Sequence, residues 1–242
     1  MSDLILKEQG VYFDKYNITS RVNGMASDYS AEPKDNTVLQ NDTRTRKAGL
    51  KTGMFSFEGF TNPDTTDEGL FDAINVANKP ITITAEGESI GDTCFSMQAL
   101  ATSFSPNNAT IGELIGFTLE AEVSTDPLVR GVLALNSKDT PITANGNGTA
   151  QQFSGGIASG KKLYAFLHIL ELTGGGSIDF VIESDDNSGF TSGTDRITFT
   201  SASAATSEAL SLAGSQSDDY YRVKYTKSGT VSCKAIVAFG II

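Results

Sequence analysis

Ile115-Gly116-Phe117-Thr118-Leu119-Glu120-Ala121-Glu122-Val123 alternates apolar and polar side chains along its length. A period of two sends successive side chains to opposite faces of an extended chain, so this stretch predicts a half-buried β-strand. Two other stretches carry the same pattern. Met54-Phe55-Ser56-Phe57-Glu58-Gly59-Phe60 puts Phe55 and Phe57 on one face and Ser56 and Glu58 on the other. In Ile81-Thr82-Ile83-Thr84-Ala85-Glu86 the odd positions are apolar and the even ones polar. All three predict strands with one face on a core and one face wet or at an interface.

The composition agrees with a β-dominated globular chain. Its 242 residues are 39% hydrophobic and 19% charged, with 24 glycines and no tryptophan. That is too little charge per apolar residue for a disordered acidic chain. The formal charge is −11 with a single histidine, a poor basis for tight nucleic-acid binding, which draws on clustered Lys and Arg. No apolar run approaches the roughly 20 residues needed to cross a bilayer, so no membrane partner is expected. Met1-Ser2-Asp3-Leu4-Ile5-Leu6-Lys7 lacks the basic start and apolar core of a secretion signal, so synthesis in a cytoplasm is expected. Cys94 and Cys233 lie too far apart in sequence for a disulfide framework or a zinc knuckle.

One helix is predicted over 65–77. Asn62-Pro63-Asp64-Thr65-Thr66-Asp67-Glu68 supplies a turn, capping side chains and acids, Leu70, Phe71, Ile74 and Ala77 recur at helical spacing, and Asn78-Lys79-Pro80 stops it. Before Met54 lies a long polar stretch, 31–53, carrying the local basic cluster Arg44, Arg46, Lys47 and Lys51. It is expected either as a solvated flexible loop or as an arm that becomes ordered against an acidic neighbour. Residues 136–152 are expected as a turn-rich linker. Beyond it, Leu163–Leu172 is apolar on both faces and predicts a central strand. Gly174-Gly175-Gly176 is expected to turn that strand into a hairpin with Ile178–Ile182. Strands at 196–199, 220–225 and 231–239 complete the pattern. The expected fold is mainly β: an antiparallel β-sandwich or partial barrel with one flanking helix over 1–135, then a second all-β sandwich-like unit over 153–242.

Three catalytic or ligand motifs are tested and set aside. Gly155-Gly156-Ile157-Ala158-Ser159-Gly160-Lys161-Lys162 resembles a phosphate loop, but Lys162 stands where a hydroxyl is needed and a strand follows instead of a helix. Gly87-Glu88-Ser89-Ile90-Gly91 with His168 gives the chain order of a serine hydrolase, yet Ser89 lies between strand-like segments and His168 within an apolar run, where a buried, hydrogen-bonded ring is expected. Ser184-Asp185-Asp186-Asn187-Ser188-Gly189 resembles a calcium loop, but Arg196 falls where the bidentate acid belongs, which excludes the helix-loop-helix type and leaves a non-helical calcium site or plain Asx-turn chemistry as the two readings of the stretch. No catalytic residue, cofactor or metal is expected. The wet-face acids Glu58, Glu86, Glu120 and Glu122 serve solubility when taken singly. If the strands join those of neighbouring copies in a ring, they line one negative surface.

The order of features over 2–135 resembles the tail tube proteins of long-tailed bacteriophages: opening strands, the basic polar arm, the Phe55–Phe60 strand, the helix, and strands ending near Val129-Arg130-Gly131. Stretches of the second half, such as Gly160–Ala165 and Asp219-Tyr220-Tyr221-Arg222-Val223, are similar to segments of phage tail proteins. The resemblance implies a virion structural protein, not an enzyme, whose subunits form hexameric or pseudo-hexameric rings around a shared barrel. It implies rings stacked into a DNA-conducting tube, an arm reaching the adjoining ring, and other tail proteins (tape measure, terminator, baseplate) as partners. Arg44, Arg46, Lys47 and Lys51 are then the inter-ring contact, and Glu58, Glu86, Glu120 and Glu122 the lumen lining, past which DNA moves only as cargo. The extra length implies a displayed sandwich or a second tube-like unit, in which case three copies complete a ring. The rival expectations are a glycan-binding adhesin, using tyrosines such as Tyr220 or Tyr221, and a capsid decoration or head-completion protein.

Overall fold

The computed structural model describes residues 9–40, 42–61, 64–108, 110 and 112–242. The expectations resting on Met1–Lys7 and on Asn62-Pro63 lie outside them. Among the described residues the elements are, in order, β1 (Val11–Phe13), β2 (Tyr16–Asn17), β3 (Val22–Ala31), β4 (Lys34–Asp35), β5 (Arg46–Lys47) and β6 (Lys51–Phe60). Helix α1 (Thr65–Asp72), β7 (Lys79–Thr84), β8 (Thr93–Asn108), β9 (Gly116–Val123) and β10 (Val129–Asn136) follow. The rest are β11 (Gly146–Asn147), β12 (Gln151–Gln152), β13 (Lys162–Thr173), β14 (Ile178–Asp185), β15 (Thr194–Thr198), β16 (Thr206–Ala213), β17 (Tyr220–Lys227) and β18 (Ser232–Ile241). The protein is thus mainly β, with antiparallel sheets and one helix among these residues.

Contacts divide the chain into two units, each discontinuous in sequence: 1–20, 78–97 and 129–242 form the first, 21–77 and 98–128 the second. The expected division at 135 and 152 follows the order of the sequence, whereas the contacts follow strand pairing. In the first unit β10 pairs with β18, Val132 opposite Phe239, so strands from both ends of the sequence share one sheet. Residues 136–152 carry β11 and β12, both paired with β17.

The first unit packs two sheets over one core. One sheet has the order β16-β13-β18-β10-β8-β7-β1-β2; the other has β11-β17-β14-β15, with β12 also on β17. Leu163, Leu167, Ile169, Phe180, Ile182, Tyr221, Val223, Val237 and Phe239 belong to the buried cluster between them. The expected central strand is β13, held between β16 and β18 and buried on both faces from Leu163 to Ile169. The expected hairpin across Gly174–Gly176 does not form. β14 pairs with β15 and β17 instead, and the glycines carry the chain from one sheet to the other. Gly174 is at φ 90 and Gly176 at φ 134; a Cβ on either would lie about 2 Å from the carbonyl oxygen of Thr230 or Ser228.

The face of β7 expected to be wet or at an interface is buried inside the first unit. Thr82 and Thr84 are fully buried alongside Ile81 and Ile83, because the larger sheet curls and encloses them. Thr82 Oγ1 lies 2.9 Å from Ser96 Oγ and 2.9 Å from His168 Nε2, so the polar face of β7 is satisfied internally.

The second unit is a four-stranded antiparallel sheet, β3-β6-β9 followed by the later part of β8. Phe55, Phe57, Phe117, Leu119 and Ala121 are buried on one face, as the alternation predicts. Helix α1 contributes buried Leu70 and Ala73. It is shorter than expected, ending at Asp72 with Ala73 as its C-cap. Asn75 adopts φ 62 and its N–H donates to Ala101 O at 2.9 Å, so the backbone leaves the helix to bond β8. The N-terminus is capped as expected: Asp64 accepts from Thr66 N at 2.8 Å. Arg21 bridges Asp64 and Asp67, 2.7 Å from the latter.

A candidate assembly surface on the four-stranded sheet

Register places the acids of the second unit. Glu58 lies opposite Thr118, Ser56 opposite Glu120, and Met54 opposite Glu122. Side chains directly opposite in an antiparallel pair share a face. Glu58, Glu120 and Glu122 therefore stand together on the face away from the phenylalanines, and all three are exposed. Sequence reasoning missed a fourth. Asp28 of β3 lies opposite Met54 and joins the same face. Its signal was hidden because Val22–Ala31, with Gly24, Ala26 and Ser27, has no strong alternation. From β8 the face receives Leu100, Ser103 and Ser105, a β-bulge separating the first two. Across β3, β6, β9 and this part of β8 the face carries no Lys or Arg among the described residues facing this way. It is negative without internal neutralisation.

Glu86 belongs to the other unit. It sits in the bend after β7, in the first unit, and its even-numbered companions Thr82 and Thr84 are buried. Within the second unit, register puts Glu58, Glu120 and Glu122 on one face with Asp28.

The margins of this sheet are open. Among the described pairings β3 has β6 as its sole partner. On β8, Ala101 bridges Ile74 on the side away from β9, and beyond it Ser103, Phe104 and Ser105 have β9 as their partner among the described pairings. An open margin presents unpaired backbone N–H and C=O groups, a template for another strand.

The basic stretch is laddered within the chain. β3 and β6 continue past the sheet as a two-stranded arm. Lys34 lies opposite Lys47 and Asp35 opposite Arg46, Glu32 N donates to Leu50 O, and Asn36 N donates to Thr45 O. Asp35 accepts from Thr37 N at 2.9 Å and from its hydroxyl at 2.5 Å, and these hydrogen bonds hold the Asp35 carboxyl below its usual range. Gly49 is required there, since a Cβ would collide with Glu32 O. Arg44, Arg46, Lys47 and Lys51 are all exposed. Arg46 and Lys47 are adjacent on β5, so they present charge on both faces of the arm. Lys51 differs from the others, its ammonium lying 5.8 Å from the Tyr29 ring centroid.

The rejected motifs are accounted for locally. Gly155, Gly156 and Gly160 all have positive φ in a turn, and β13 follows. The Ser89 backbone N–H donates to Asp92, and a strand, β8, follows instead of a helix. Both nitrogens of fully buried His168 are engaged, Nδ1–H donating to Asp14 O at 2.6 Å and Nε2 accepting from Thr82. Burial pushes the imidazole down to about 4, so it is neutral at pH 7. Asp185 spends its carboxylate on Asn187 N and Ser192 N, and Arg196 bonds Asp218 at 2.7 Å. Among the described residues no group of three acidic, His or Cys side chains is placed to hold a metal ion.

No family model matches the chain. No curated protein matches it. Several solved structures are similar in fold. A chain from the virion of a native gene transfer agent particle is 16% identical, covering 51% of this chain and 95% of its own, at a TM-score of 0.40. A chain from the tube-terminating cap of the anti-feeding prophage is 12% identical over 55% of this chain and 93% of its own, at 0.44. The SPP1 Dit protein, described as a hub of the adsorption apparatus of phages infecting Gram-positive hosts, is 12% identical over 98% of this chain and 100% of its own, at 0.41.

Proposed function

We propose that this chain is a structural subunit of a phage-type tail whose copies join side by side into rings that stack as a tube. The observation that carries this reading is the four-stranded sheet with two open margins and an acidic face free of basic side chains. The β3 margin of one copy pairs with the β8 margin of the next, and repetition closes a barrel. With Asp28, Glu58, Glu120 and Glu122 turned inward, a passing polyanion meets like charge and slides without adhering. The arm, with Arg44, Arg46, Lys47 and Lys51, reaches the adjoining ring, and other tail proteins meet the tube at its ends. The reading is non-catalytic.

Each chain contributes one open sheet of this kind. A ring completed by three copies needs a second, and the first unit supplies two sheets facing each other over a shared core instead. One open sheet per copy favours rings with as many sheets as chains. Negative-stain microscopy of the concentrated protein tests the reading: hollow rods or discrete rings are expected, and a strictly monomeric species at every concentration overturns it.

A further inference from the structure

Small side chains run across one margin of the first unit. Thr200-Ser201-Ala202-Ser203-Ala204-Ala205 carries the chain from the smaller sheet to the larger one. Phe199 N donates to Phe180 O, and Ala202 and Ile178 exchange both backbone bonds, so the segment begins as a continuation of β15 along β14. It ends at Thr206, where β16 starts beside β13. No side chain in the crossover is larger than threonine, and the space under it stays open as a cleft of about 460 Å³. Sites for small ligands run from roughly 300 to 1,000 Å³.

The lining is amphipathic and carries one charge. Leu167 and Ala202 are buried, and with Ala204 and Ala205 they give the cleft its apolar surface. Register sets Glu208 opposite Leu167 and Thr206 opposite Ile169, so both project from the inner face of β16. Glu208 Oε2 accepts from Thr200 N at 2.7 Å, and Oε1 accepts from the Thr200 hydroxyl at 3.0 Å. A carboxylate has about four acceptor sites, so capacity remains on a side chain that lines the cleft. Among the described residues of the lining there is no Lys, Arg, His or aromatic ring.

Those absences select the ligand. Without a base the cleft does not neutralise a phosphate, sulfate or carboxylate, and without an aromatic ring it gives no stacking surface to a nucleobase or a sugar. What it presents is a carboxylate with spare acceptor sites beside a short apolar floor. We propose that the cleft binds an aliphatic polyamine, an ammonium group donating to Glu208 while the methylenes lie on Leu167 and Ala202. A charge-assisted hydrogen bond fixes one end, and apolar contact holds the chain. The site lies within one copy and stands independently of ring formation.

Equilibrium dialysis of spermidine against the full chain tests the site. Physiological ionic strength screens most of the diffuse attraction of a chain of charge −11. One saturable spermidine per chain is expected, with diaminobutane competing and its uncharged analogue butanediol failing to compete. Glu208→Gln keeps the shape of the side chain and an acceptor for Thr200, and is expected to weaken binding about tenfold, the loss of a hydrogen bond to a charged group. Thr206→Leu fills the cleft without touching Thr200 and is expected to weaken binding as well. Asp139→Asn, at a side chain 84% exposed and outside the lining, is expected to leave it unchanged. Thermal melts verify each fold, and if Glu208→Gln does not fold, Thr206→Leu decides alone. Uptake that never saturates, or equal binding by the cleft variants and the unaltered chain, overturns the site in favour of diffuse attraction to an acidic protein. Butanediol competing as well as diaminobutane overturns the ammonium contact in favour of a neutral polyol.

Discussion

His168 shows how one residue is fixed by its surroundings. A backbone carbonyl can only accept, so its bond with Asp14 O places the proton on Nδ1, and Nε2 is left to accept from Thr82. The ring sits where the larger sheet of the first unit curls: Asp14 also accepts from Lys79 Nζ at 2.8 Å and from the Ser207 hydroxyl on β16. Protonation would add a donor at Nε2 and a charge in a fully buried place. The folded pKa, about 4, lies below the ordinary 6.5, so the unfolded chain binds the extra proton first. Stability conferred by the neutral ring is therefore complete above about pH 6.5 and is lost as pH falls toward 4. The full loss is of order 3 kcal/mol. Because the chain has one histidine, the fall in urea midpoint between pH 6.5 and 5 belongs mainly to this ring. A flat midpoint over that window, with an imidazole NMR titration near 6.5, would contradict the account.

At the scale of elements, caps and registers give separate predictions. Asp64→Ala removes both the α1 cap and a partner of Arg21, and is expected to lower stability by about 1 kcal/mol in thermal melts. Asp64→Asn keeps the cap acceptor and should recover most of that loss; equal losses for both would mean the Arg21 pair dominates. The β6 and β9 strands were legible in the sequence because one face meets phenylalanines and the other meets water, the condition that produces alternation. β7 alternates just as cleanly, but its threonines are buried by hydrogen bonding to Ser96 and His168, which sequence periodicity cannot distinguish from solvation. The arm was visible as a basic polar run, yet its β-ladder rests on backbone bonds between 32–36 and 45–50, which leave no side-chain period. β16, Thr-Ser-Glu-Ala-Leu-Ser-Leu-Ala, escaped notice because it lies at a margin with half-exposed side chains of mixed character. Glycines 174–176 looked like a hairpin turn because turn chemistry is local, while the choice of strand partner is made by the core.

For the whole molecule, the candidate site was half visible. Acids on alternating strands could be named, but which of them share a face depends on register, and register sets Asp28 beside Glu58, Glu120 and Glu122. On the proposed function, reversing Arg44, Arg46 and Lys47 to Glu removes the charge with which the arm meets the adjoining ring. Folded protein with an unchanged circular dichroism spectrum and no rods is expected; normal rods would remove the arm from the assembly. A chain cut at 135 is expected to aggregate instead of yielding a separate domain, because β10 loses β18 along Val132–Asn136. Recovery of a soluble, cooperatively melting 1–135 fragment by size-exclusion chromatography would contradict this. The same pairing bears on synthesis. β18 lies between β13 and β10, so the larger sheet has a gap at its middle until residues 232–241 have left the ribosome. The strands of the second unit, complete by residue 128, emerge much earlier. If the proposed ring contact holds, nascent chains expose its open sheet margins while their other half is unfinished, and joining before release from the polysome becomes a hazard of synthesis.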